Sequence, residues 1–70
     1  MELTAVIAAN MRRHRKNAGI SQVALAKKIC VAQACISAYE TAKTMPMIDK
    51  AIEICLALGI TLEDLVEGYV

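Results

Sequence analysis

The sequence has no tryptophan and no phenylalanine, and its only aromatic residues are Tyr39 and Tyr69. One proline, three glycines and one histidine complete the list of scarce residues. The aromatic shortage leaves any core to Ile, Leu, Val and Met. Pro46 lies between two helix-like stretches and interrupts neither. With a single histidine, His14, and with Cys55 remote from Cys30 and Cys35, the paired spacings of a zinc site are missing. No Ser/His/Asp or Cys/His order is present and no glycine-rich phosphate loop, and a chain of 70 residues has little room for a substantial cleft. Catalysis, a metal and a bound cofactor therefore have no support. The apolar stretch Thr4–Met11 is far too short to span a bilayer. It also precedes its basic cluster, the reverse of secretory order. Three cysteines is an odd number, which favours free thiols and a reducing cytoplasm over a disulfide framework.

What is abundant is alanine, 12 residues of it, within an apolar fraction of 57%. Alanine is the best helix former and a poor strand former, so the expected fold is all-α, with residues 1–70 as one domain. The net charge of +1 conceals a division along the chain. Residues 1–44 carry seven basic residues against Glu2 and Glu40, whereas residues 45–70 carry Lys50 against five acids. Such an asymmetry suits a protein with one half turned towards a polyanion.

Helical periodicity and capping residues mark the helical segments. Ile7, Met11, His14 and Ala18 share one face of a first helix that Gly19 ends. Ser21 caps a second, Gln22 to about Ile29, with Leu25, Ala26 and Ile29 facing inward. The pattern continues through Ile36 and Tyr39, and Val31, out of phase with it, is the only local hint of a break at residues 30–32. After a looser Thr41–Met47, a fourth helix starts near Met47 or Ile48, with Ile48, Ala51, Ile52, Cys55 and Leu58 expected on its inner face. Gly59 closes it. Thr61 then caps a short fifth helix, with Asp64 placed as in a capping box and Leu62, Leu65 and Val66 as its buried face.

Two helices joined by a short turn, the second with small and polar outward residues, follow the helix-turn-helix plan. Asn10-Met11-Arg12-Arg13-His14-Arg15-Lys16, Gly19-Ile20-Ser21-Gln22 and Leu25-Ala26 resemble the first two helices of the Cro/CI-type (XRE-type) family of phage repressors and small bacterial regulators. Val31-Ala32-Gln33 and Ile36-Ser37-Ala38-Tyr39-Glu40 resemble its turn and third helix, and Pro46, Leu58-Gly59-Ile60-Thr61-Leu62 and Leu65 the remainder. The resemblance covers roughly residues 7–67. It implies a compact, lambda-repressor-like five-helix bundle with the motif at about 22–41 and a recognition helix at about 33–40.

The same resemblance assigns roles. Gln33, Ala34, Ser37 and Ala38 are directed at base edges, with the Gln33 amide suited to adenine and the alanines to thymine methyl groups. Gln22, Arg15 and Lys43 are directed at phosphates, and Arg15 also pairs with Glu40. Implied too are a near-palindromic double-stranded DNA operator, a homodimer, transcriptional regulation as a repressor, and no small-molecule ligand. Leu56, Met45, Met47, Tyr69 and Val70 offer apolar surface for the dimer. An antitoxin-like or protein-interaction module on the same fold is the alternative. The chain departs from the family at Cys30 and Ala42, where glycine is usual, at Ala32, where a Ser or Thr cap is usual, and at His14, where a buried leucine is usual. These departures predict a modestly weakened domain.

Overall fold

A computed structural model describes residues 2–70; Met1, included in the expected 1–70 domain, lies outside the described residues. Five helices follow in order: α1 Leu3–Asn17, α2 Gln22–Lys28, α3 Gln33–Glu40, α4 Ile48–Leu58 and α5 Leu62–Leu65. No strand occurs among the described residues. The boundaries sit where capping chemistry puts them. Gly19, at φ +72°, turns the chain out of α1, a conformation that costs glycine little. The Ser21 hydroxyl accepts from the Ala24 N–H at 3.0 Å and starts α2. Gly59 at φ +69° ends α4. At α5 the expected capping box is present: Thr61 Oγ1 accepts from the Asp64 N–H, and the Asp64 carboxylate accepts from the Thr61 N–H.

The turn between α2 and α3 has neither glycine nor proline. Cys30 takes it alone, in the left-handed region at φ +58°, and the Val31 N–H donates to Ala26 O at 3.0 Å to close it. Val31 then packs, half-buried, against the core, which explains its departure from the helical phase. Ala32 occupies the N-cap of α3 and supplies no side-chain bond. Ala42, the other departure from glycine, is also left-handed, at φ +60°.

Each helix contributes one wholly buried side chain to the centre: Met11, Leu25, Ile36, Ile54 and Leu65. Full burial of such a side chain is worth roughly 1.5–3 kcal/mol. The inner face of α4 differs from expectation. Ala51, Ile54, Cys55 and Leu58 are buried, whereas Ile48 and Ile52 are 67% and 44% exposed. The helix carries two adjacent apolar stripes, and α2 and α5 cover only the one centred on Ile54. In α5 only Leu65 is buried, and Leu62 and Val66 are exposed, because four residues present a single inward position. Ala18, expected on the inner face of α1, is exposed just past its end.

Asn10 fastens α1 to α5. Its buried amide donates to Leu65 O and Glu67 O, each at 2.9 Å, and so satisfies carbonyls that the end of a helix leaves open. Arg13 donates to Asn10 Oδ1 and reaches Glu67 at 3.5 Å. His14 is half-buried, with Nε2 enclosed and without a partner. Cys30 is exposed, Cys35 half-buried and Cys55 buried, all three as free thiols. Burial pushes the Cys55 thiol up.

Candidate nucleic-acid interface

Helices α2 and α3 pack against each other, and Ala26 of α2 is buried. A small side chain there lets the two backbones approach and fixes which face of α3 turns outward. Ile36, Tyr39 and Glu40 face inward, while Gln33 and Ala34 are exposed and Ser37 and Ala38 half-buried. The four residues expected to read bases therefore share one open stripe. Its hydrogen-bonding capacity is small: one amide, one hydroxyl, and two methyl groups. The hydrogen bond to Cys35, together with burial, pushes the Tyr39 phenol up to about 12 and keeps it neutral on the inner side.

Behind the stripe lies a buried ion pair. Arg15 Nε donates to Glu40 Oε2 at 2.6 Å and Nη2 to Oε1 at 3.0 Å, a two-pronged contact. Side-chain exposure is 10% for Arg15 and 2% for Glu40. Arg15 Nη1 donates to Ile20 O at 2.8 Å. The bond to Glu40 raises the Arg15 pKa above its ordinary value against the opposing pull of burial. The expected pairing of Arg15 with Glu40 is present in full. A guanidinium this enclosed holds α1 to the end of α3.

The pair extends outward through two amides. Gln22 Nε2 donates to Glu40 Oε1 at 3.2 Å, and Gln33 Nε2 approaches Gln22 Oε1 at 3.5 Å. Gln22 stands at the first position of α2, Gln33 at the first position of α3. A continuous polar chain thus runs from α1 through Glu40 and Gln22 to the exposed amide of Gln33. Sequence reasoning did not find this chain, because nothing in the spacing of residues 22, 33 and 40 shows that they meet. Lys43 is exposed in the turn after α3, where its N–H donates to Ala38 O. Among the described residues Arg12, Lys16, Lys27, Lys28 and Lys43 make no ion pair, while Arg13, Arg15 and Lys50 do.

A family model described as helix-turn-helix matches residues 11–65, from the middle of α1 to the end of α5. The chain belongs to the XRE-type helix-turn-helix family. With that membership comes the coarse function, a DNA-binding regulator. This helix-turn-helix protein is also similar to the crystal structure of a hypothetical transcription factor, NHTF, from Neisseria. The likeness has a TM-score of 0.87 and 32% identity, over 93% of this chain and 75% of that one. A search of curated proteins finds no match. No helix among the described residues is long and apolar enough to cross a membrane, and none of their His, Cys, Asp and Glu side chains gather into a group of three that could hold a metal.

Proposed function

We propose that the protein is a sequence-specific transcriptional regulator that inserts α3 into the major groove and acts as a repressor by occupying its site. The observation that carries this reading is the placement of Gln33. Its amide sits on the exposed first turn of α3 and is steadied through Gln22 by the buried Arg15–Glu40 pair. An amide there can make paired bonds to adenine N6 and N7, worth about 1–3 kcal/mol of discrimination. Ser37 supplies a second polar contact, and Ala34 and Ala38 permit close approach and touch thymine methyl groups. Gln22 and Lys43 contact the flanking phosphates. A homodimer accounts for the exposure of Met47 and Leu56, 77% and 78% respectively, and would place two α3 helices roughly 34 Å apart on a near-palindrome. The alanines at positions 34 and 38 also suit a protein-interaction or antitoxin-like module with weak readout.

Selection of bound duplexes from a random pool separates the two. The expected result is an enriched near-palindrome with half-sites about one helical turn apart. Gln33→Ala should flatten the preference at one position in each half-site, whereas Lys43→Ala should weaken all sequences alike and lower the salt dependence by about one charge. No binding to any duplex at low salt would leave the protein-interaction reading.

A further inference from the structure

The molecule has a second anion-facing feature that the reading stripe does not use. A groove of about 530 Å³ lies between α1 and the turn after α3. Alanines of α1 line it, with Arg12 and Lys16 along that helix and Thr41 and Ala42 opposite. Arg12 and Lys16 are one helical turn apart, so they share a face at about 6 Å of rise. Both are exposed and neither is paired with an acid among the described residues. Arg13, which also borders the groove, is engaged by Asn10 and Glu67. The acid at the groove, Glu40, is nearly inaccessible and already matched by Arg15, so it does not oppose an incoming anion. The short alanine side chains leave room for something broader than a side chain.

The groove also has a direction. Thr41 follows Ser37 and Ala38 by four and three residues, and its hydroxyl donates to Ser37 O at 2.7 Å. Thr41 therefore continues the outward stripe of α3 one turn further, and the same residue lines the groove, so the groove adjoins the end of that stripe. We infer that this groove seats the sugar–phosphate backbone of DNA flanking the site read by α3, with Arg12 and Lys16 each neutralising a phosphate. The inference rests on the DNA reading above and extends the footprint past the contacts of Gln22 and Lys43. It assigns α1, otherwise a core and ion-pair helix, a share of the affinity without a share of the base preference.

The test uses a duplex from the random-pool selection, long enough to include flanking base pairs, and titrates it by fluorescence anisotropy over a range of salt. Each lost phosphate contact should flatten the log–log salt slope by about 0.9. Between about 50 and 200 mM salt the wild type should therefore lose about twelvefold more affinity than Arg12→Gln/Lys16→Gln. Base preference should not change. Ethylation interference should show additional phosphates outside each half-site in the wild type that vanish in the double variant. Ala9→Glu, which puts an acid into the groove from an exposed position, should weaken binding while the thermal melt stays the same. Lys27→Gln/Lys28→Gln removes equal charge from α2, where Lys28 faces α4 beside Glu53 and Leu56, and should keep the wild-type slope. An unchanged slope for the Arg12/Lys16 variant, or an equal fall for the Lys27/Lys28 variant, overturns the assignment while leaving the DNA reading intact. Failure of the wild type to bind any duplex overturns both.

Discussion

Replacing Glu40 by alanine tests the energetic claim at the centre of the motif. The substitution leaves the Arg15 guanidinium in a site where its side chain is 10% exposed, with only the Ile20 carbonyl still accepting from it. Removing one member of a buried pair costs about 3–5 kcal/mol, because the remaining charge stays desolvated. A chain of 70 residues has a total stability of roughly 3.5–10 kcal/mol, so the loss takes a large share of it. At a urea m value of about 1 kcal/mol/M, the midpoint should fall by at least about 3 M. The melting temperature should fall by at least about 12 °C. Replacing both partners with apolar residues of similar volume, Arg15→Met with Glu40→Leu, removes the stranded charge along with the pair and should recover most of the loss. Urea titrations followed by circular dichroism at matched pH measure all three proteins. A cost below about 1 kcal/mol for Glu40→Ala would mean that the pair is effectively solvated. A double variant as weak as the single would mean that packing or the Gln22 bond, and not charge burial, sets the cost.

Three other perturbations follow from backbone and cap geometry. Cys30→Gly should stabilise the fold by ~1 kcal/mol, since glycine adopts the left-handed turn without the penalty a side chain incurs; a lower urea midpoint would contradict the strain. Ala32→Ser should add about 1 kcal/mol by giving α3 the cap it lacks, the backbone at position 32 being already extended at φ −72° and ψ 150°; no gain in melting temperature would show the first turn of α3 to be satisfied by other means. Hydrogen bonds from Thr61 hold the Asp64 carboxyl below its ordinary value. A lowered folded-state pKa contributes stability that is complete above the unfolded carboxylate range near pH 4 and is lost as pH falls through the folded value. Melts taken from pH 6 downwards should therefore decline more for the wild type than for Asp64→Asn, and parallel curves would remove the capping box from the acid response.

Much of this architecture was readable where the chain carries explicit punctuation. Gly19, Ser21, Gly59 and Thr61 each announce a boundary through a conformation or a bond that few other residues supply, and each stands where the helices begin or end. The α2–α3 turn has no such marker, because Cys30 performs glycine's task; only the resemblance to relatives located it. The inner face of α4 was misread for a different reason. Two apolar stripes at helical spacing are equally good candidates for the core, and the choice of Ile54 over Ile48 and Ile52 is made by neighbouring helices, not by α4 itself. At the site, the Arg15–Glu40 pair came from the resemblance, but its burial did not. The bonds of Gln22 to Glu40 and Gln33 join α2 to both ends of α3 through side chains whose sequence separations have no period.

The division of α3 into two faces bears on how such a protein changes its target. Ile36, Tyr39 and Glu40 hold the fold from one side, and Ala34, Ser37 and Ala38 face outward with almost no structural duty. On the proposed reading, mutations at those three outward positions would alter the sequence being read while the scaffold stays the same, so new operators would be accessible by single steps that pass through folded intermediates. Position 33 is the exception. Its amide ends the polar chain that starts at Arg15, so a new residue there would disturb the contact with Gln22 as well as the proposed base contact. A lineage diverging from this protein is expected to explore positions 34, 37 and 38 first and to exchange residue 33 together with residue 22.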